Sequence, residues 1–381
     1  MSYKTAALLA LLSTVIGGCS PDDGNSGPSS GEQAADYIEK YPYQETHRLL
    51  LDYTQGDPSA LNTWVLGGTP ALVKAGEDRV VRMNNDTYYK MAFIDLSQGS
   101  VILSSDSPSR ERFNSFQLMD DRNTNYRNVI FPAGTYTLYN GERPQRVDGE
   151  AIEVPSEWSV VLVRVEVKDK NDPVDVEAAQ EVFNGIRIEG AGPEAIRGLD
   201  LLSGFSESVA AEANRLMDST ATNMEIRLLV ASPDQVPGEV SYLRLAAGTK
   251  CCWGGPLPSH SSYETIFFDA AGEEMAGSKG AYTLTTEEPP VDAFWSLTVY
   301  DTERGGYLHP NEDDRYHISG NTGVPNEDGT FTFTFRESCG DRDLNCLEVP
   351  AGRFDLAARY YLPSAEIISG EWTIPRPTLE Q

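Results

Sequence analysis

Histidine is scarce in this chain, with four among 381 residues, at His47, His260, His309 and His317. None of the four sits in a serine-hydrolase elbow, and little material is left for a histidine-rich metal centre. Positive charge is the second shortage: 30 Lys and Arg stand against 58 Asp and Glu, for a net charge of −28. A surface of that sign repels nucleic acid and anionic head groups, so no nucleic-acid partner is expected. The acidic residues are spread along the chain rather than gathered in a tail, as on a solvated surface. Cysteine is limited to five residues with no paired short spacing of the zinc type, so no metal or other cofactor is expected.

What is present begins with an export layout. Met1 to Ser20 carries one positive charge at Lys4, an apolar run from Ala6 to Ile16, and Gly17 and Gly18 before Cys19. The run is too short for a membrane-spanning helix and has the order of a signal peptide over 1–18. Its Ile-Gly-Gly-Cys ending is similar to the bacterial lipobox, which implies a lipid on Cys19 and a membrane partner through that lipid. Ser20 after the cysteine points to the outer membrane. Residues 19–35 then read as a flexible tether. Four cysteines remain, and an even number in an exported chain favours disulfides. Cys339 and Cys346 flank a polar connection, so a bridge across that loop is expected. Cys251 and Cys252 are then a vicinal pair, free thiols, or partners of the other two.

Most of the chain has a period of two. Val161, Val163, Val165 and Val167 alternate with Arg164, Glu166 and Lys168, which predicts a strand with one apolar and one solvated face. Phe331, Phe333 and Phe335 alternate with threonines, and "FWSLTVY" is apolar enough on both sides to be covered on both faces. Helical spacing interrupts this rhythm at Asp172–Gly185, where Asp172 is a cap candidate and Pro173 takes the first helical position, and at Ser206–Asp218. The pattern therefore predicts a mainly β protein of two tandem antiparallel β-sandwich or jelly-roll-like domains, over 36–190 and 246–381. A helical and linker segment over 191–245 separates them.

The candidate site is "NNDTYY", Asn84, Asn85, Asp86, Thr87, Tyr88 and Tyr89, set immediately before an apolar strand. Asn and Asp bond local backbone and usually break strands, so the run is either a structured turn or a polar site at a strand mouth. In the second case the amides and carboxylate bind, and the tyrosines stack, a small-molecule or glycan ligand. Trp295, Tyr300, Asp301 and Arg315 are further ligand-binding candidates. An acid-base mechanism would draw on Asp86 or Asp120, with Tyr88 or His317 as proton partner. His309, His317, Asp313 and Asp314 are better read as a solvated loop than as metal ligands. The stretch from Asp341 opens like a calcium loop but lacks its glycine and distal glutamate.

Two segments carry a family resemblance. Asn84, Asp86, Thr87 and Tyr89, or Tyr88 with the register read one earlier, then Asp95 and Leu96, then Gln117, Leu118 and Asp120 resemble the signature of the DUF1254 family. Pro290, Phe294, Trp295, Ser296, Leu297, Tyr300, Asp301, Arg315, Tyr316 and Trp372 resemble that of the companion DUF1214 family. The resemblance implies two tandem β-domains in an exported or anchored protein, and brings no reaction with it. One departure is local: Cys346 stands where the family commonly has tryptophan, consistent with a disulfide in place of aromatic packing. The expectation is thus a lipid-anchored envelope protein that binds a small or carbohydrate-like ligand. The alternatives are an envelope hydrolase or lyase and a structural interaction protein of the envelope.

Overall fold

The computed structural model describes residues 29–77, 81–224, 229, 242–340 and 343–380. The expected signal, Cys19 and Asp341 lie outside the described residues.

The first β-domain contains β1 (Thr87–Asp95), β2 (Val101–Ser105), β3 (Asn114–Asp120), β4 (Asn125–Ile130), β5 (Gly134–Tyr139), β6 (Glu150–Glu153), β7 (Trp158–Glu166) and β8 (Ile186–Glu189). One sheet has the order β1-β7-β3-β4 and is antiparallel throughout; the other has the order β6-β5-β2-β8. Val161, Val163 and Val165 of β7 point between the sheets, against Ala92, Ile94, Phe116 and Leu118. The period-two pattern fixes that inner face. The expected solvated face of β7 is not solvated, however. Arg164 and Glu166 are only 4% and 3% exposed, because a second layer of protein covers the outer side of this sheet.

That cover has two parts. Toward one end lies a helical unit of α1 (Ser30–Thr54), α3 (Glu207–Asn223) and α4 (Tyr242–Cys252), packed around Tyr37, Ile38, Ala213, Met217 and Ala246. Leu50 of α1 reaches Met91, Phe93, Val160 and Leu162 on the outer face of the sheet. The expected tether therefore ends earlier than predicted. Ser29 Oγ accepts from Glu32 N at 3.3 Å and Glu32 accepts from Ser29 N at 2.7 Å, a capping box that starts a helix. Helix α2 (Pro173–Asn184) begins as predicted, with the Asp172 side chain accepting from Val174 N at 2.9 Å. It buries Ala179, Val182 and Phe183 in the first sandwich.

The other cover is the second β-domain. Its strands are β9 (Ser261–Ile266), β10 (Tyr282–Thr286), β11 (Trp295–Asp301), β12 (Tyr307–Leu308), β13 (His317–Ser319), β14 (Phe331–Arg336), β15 (Cys346–Glu348), β16 (Phe354–Tyr361) and β17 (Thr378–Leu379). One sheet runs β12-β11-β16-β9 with β13 also on β11, and the other β15-β14-β10-β17. Phe331, Phe333 and Phe335 enter the core as expected, against Trp295, Leu297 and Val299. All seven residues of β11 are buried. Cys339 is bonded to Cys346 across the predicted loop, and Cys251 to its neighbour Cys252.

Candidate functional site

Alternation sorts each strand of the β11 sheet into two chemistries. Trp295, Leu297, Val299, Leu356, Ala358 and Tyr360 face the apolar core. Ser296, Thr298, Tyr300, Asp355, Arg359 and Tyr361 fall on the opposite face, yet each is at most 2% exposed. That polar face meets the outer side of the first domain's β1-β7-β3 sheet, which presents Tyr89, Arg164 and Gln117. Buried polar groups must find partners, and here they find them across the domain boundary.

"NNDTYY" is the fastening. Asn84 Oδ1 accepts from Asp86 N at 2.8 Å, closing a local turn, while its Nδ2 donates to the Tyr361 hydroxyl at 2.5 Å. Asp86 accepts from Ser296 Oγ at 2.6 Å and from Tyr361 Oη at 2.8 Å. Asn85 donates to the Val73 carbonyl, and its Oδ1 lies 3.1 Å from His317 Nδ1. The backbone just upstream is held in the same way. The carbonyl of Met83 accepts from Tyr300 Oη at 2.8 Å, and that of Arg82 from Arg359 Nη2 at 2.8 Å. Arg82 itself forms a two-pronged pair with Asp355 at 2.9 and 2.7 Å. The run is thus a structured turn whose side chains also build the junction.

Beside the turn, Tyr89, Tyr263 and His317 are partly exposed. The Arg164 guanidinium lies 5.3 Å from the Tyr89 ring and that of Arg359 5.3 Å from the Tyr263 ring. Arg164 donates to Gln117 Oε1, to Tyr89 Oη at 3.3 Å and to the Gly254 carbonyl at 3.3 Å. Arg359 donates to Thr298 Oγ1 at 2.9 Å and to Tyr300 Oη at 2.6 Å. Burial raises the Tyr263 and Tyr361 hydroxyls and lifts Tyr300 to about 12, so all three stay protonated at neutral pH. Burial pushes His317 down to about 4 against the pull of Asp86, which leaves a neutral imidazole.

Of the sequence candidates, the structure brings together Asn84, Asn85, Asp86, Tyr89, Tyr300 and His317. Thr87 is buried beside them, its hydroxyl without a partner among the described residues. The others serve elsewhere. Tyr88 points into the first sandwich, edge-on to Phe183 at 5.7 Å, because its neighbour Tyr89 takes the outer face. Trp295 is core of the second sandwich, at 5.3 Å from Phe331, so neither ring is a ligand surface. Asp301 accepts from Arg304 N at 3.0 Å and stabilises a turn. Arg315 donates to the carbonyls of Asp343 and Leu344 and braces the disulfide loop.

Asp120 lies at the far end of β3, opposite Ser159, whereas Thr87 pairs with Glu166. Seven residues of strand separate the two ends, roughly 20 Å, so Asp120 and Asp86 cannot share one substrate. Asp120 instead accepts from Arg122 N and Thr124 N at 2.9 and 2.8 Å within the β3–β4 hairpin.

Sequence reasoning missed Arg164, Tyr263, Arg359 and Tyr361. A signal existed in β16, where Asp355, Arg359 and Tyr361 recur at even spacing in an otherwise apolar strand, but alternation alone assigns such a face to water.

Comparison with known proteins agrees with the two-domain division. Residues 66–190 match the model described as protein of unknown function (DUF1254), and residues 260–365 that described as protein of unknown function (DUF1214). The VPA0106 protein from Vibrio parahaemolyticus has a similar fold, with a TM-score of 0.75 at 20% identity over 93% of this chain and 100% of that one. A Burkholderia cenocepacia protein matches 92% of this chain and 93% of its own at 13% identity, with a TM-score of 0.48. No curated protein matches the sequence.

Proposed function

This chain belongs to the family that pairs a DUF1254 with a DUF1214 domain, and from that premise we propose that it binds a small polar ligand in the cleft between the two. The observation that carries the reading is the accessible surface kept by Tyr89 and Tyr263 beside an otherwise buried polar junction. Aromatic rings beside convergent donors, held on strands rather than loops, are the usual equipment of a small-molecule site. Each ring is already fixed by a guanidinium, so little ordering remains to oppose binding.

The acid-base alternative has less support. Asp86 has both carboxylate oxygens engaged by buried hydroxyls, and His317 is held neutral over the physiological range. The interaction-protein alternative calls for a broad exposed apolar patch. Among the described residues, large exposed apolar side chains are scattered, with Phe267 and Phe268 adjacent.

On this reading the protein works at the bacterial envelope, tethered to the outer membrane through a lipid on Cys19. The support for that location is the order of charge, apolar run, small residues and cysteine at the N-terminus. Among the described residues no helix is long and apolar enough to cross a membrane. Native mass spectrometry of the full chain tests the binding reading. A small molecule retained by the parent and lost from Tyr89→Ala supports it. A bare mass, together with no melting shift across a panel of sugars and organic acids, overturns it.

A further inference from the structure

Two of the buried cations at the junction have no carboxylate in direct contact among the described residues. Asp355 is matched by Arg82 at 2.7 Å. Glu166, on the same strand face as Arg164, has its carboxylate taken by Phe113 N at 2.8 Å and Asn321 Nδ2 at 2.8 Å. Asp86 is engaged by Ser296 and Tyr361 and is the carboxylate nearest to Arg359 in influence. Arg164, by contrast, bonds among the described residues to an amide oxygen, a phenol and a carbonyl. Arg359 bonds to two hydroxyls and a carbonyl, and its buried Nε has no partner among the described residues.

Arg164 and Arg359, 4% and 2% exposed, are therefore buried with no carboxylate in contact among the described residues. Tyr263 lies against Arg359, whose guanidinium is 5.3 Å from its ring, and feels both cations. Its hydroxyl, a third donor, makes no hydrogen bond with the described residues.

We propose that the ligand of this cleft carries an oxyanion, most simply the carboxylate of a small organic acid, received by Arg164 and Arg359 with the Tyr263 hydroxyl. The inference rests on the binding reading above and deepens it. A buried cation with no carboxylate in contact is costly, and a bound anion would offset that cost. The planar fork of a guanidinium matches carboxylate or phosphate with two parallel bonds, and its stacking on a tyrosine fixes the plane of that fork in advance. The flat walls supplied by Tyr89 and Tyr263 suit a ring-bearing body, as in a sugar acid.

Calorimetric titration of the full chain with galacturonate, galactose and inorganic phosphate distinguishes the possibilities. Galacturonate is expected to bind at least about tenfold more tightly than galactose, the equivalent of one well-formed charged contact. Tyr263→Phe removes a hydroxyl that makes no hydrogen bond with the described residues, so it is expected to weaken galacturonate several-fold at unchanged melting temperature. Arg164→Lys keeps the charge without the fork and is expected to weaken it about tenfold. Phosphate binding that competes with galacturonate supports the oxyanion and identifies the free anion as a sufficient source. Galactose binding as tightly as galacturonate, with Tyr263→Phe affecting both equally, overturns the oxyanion while leaving the cleft a ligand site. Failure of both galacturonate and phosphate to bind overturns the oxyanion as well.

Discussion

The bond between Asp86 and Tyr361 joins residues 275 positions apart and gives the domain junction a measurable strength. Asp86→Ala removes a carboxylate that accepts from Ser296 and Tyr361 at 2.6 and 2.8 Å in a site closed to water. Each bond to a charged acceptor contributes about 1.5–3 kcal/mol, so the variant is expected to lose about 3–6 kcal/mol. Tyr361→Phe deletes one of those donors and also the acceptor for Asn84 Nδ2, a loss of about 2–4 kcal/mol. The ring remains, stacked on Phe294 with centroids 4.0 Å apart, so packing is conserved. Burial and the adjacent Asp86 hold the phenol well above its ordinary range, so it donates throughout the working pH range. Equilibrium urea unfolding of the parent, both single variants and the double variant yields the coupling. The shared bond predicts a deficit of about 1.5–3 kcal/mol in the double variant relative to the sum of the singles. Additivity within about 0.5 kcal/mol would refute the claim that this pair fastens the two domains.

Other outcomes follow from the same structure. His317, facing Asn85, Asp86, Arg359, Lys170 and Arg315, has its folded pKa depressed to about 4 from 6.5. Its contribution is present above about 6.5 and is lost as pH falls toward about 4, by ~3 kcal/mol over that window, and His317→Gln should flatten this part of the stability profile. Lys90 is buried between the Trp64 and Phe183 rings and donates to the Ile186 carbonyl at 2.9 Å, and burial lowers it to about 8. The unfolded chain holds that proton more tightly, so stability rises as pH climbs from about 8 to about 10.5, and Lys90→Met should stabilise the protein at pH 7 by about 1–3 kcal/mol in urea unfolding. Removing the Cys339–Cys346 bridge with Cys339→Ser, which leaves buried Cys346 in place, should cost about 2–3 kcal/mol by closure entropy of its short loop, read as a lowered melting temperature. Peptide mapping of the non-reduced protein should recover that pair joined, and two separate peptides would contradict it.

Much of the architecture is legible in particular residues. The valines of β7 and the phenylalanines of β14 name their own inner faces, since a period of two leaves an apolar side with one place to go. Asp172 and Pro173 announce α2, because a cap and a fixed φ act locally. α1 was announced too, by Ser29 and Glu32, but its capping box adjoins a Gly- and Ser-rich stretch that reads as a tether. The candidate site was half legible. Asn84, Asn85 and Asp86 stand out because a polar run before a buried strand is costly without a purpose, whereas Arg164 looks like any outward-facing charge.

The sequence by itself determined the β-rich class, the two modules and the inward faces of their strands, all set by short-range chemistry, whereas the choice among the possible cysteine pairings came from the structure. Only the tertiary structure decided what covers the polar faces. Alternation says that Arg164, Ser296 and Arg359 differ from their neighbours, but burial comes from a partner sheet far away in sequence, as the 210 positions between Asp86 and Ser296 show. Two faces that each resemble a solvated surface become a closed, charged junction when they meet, because the field between them belongs to both domains together.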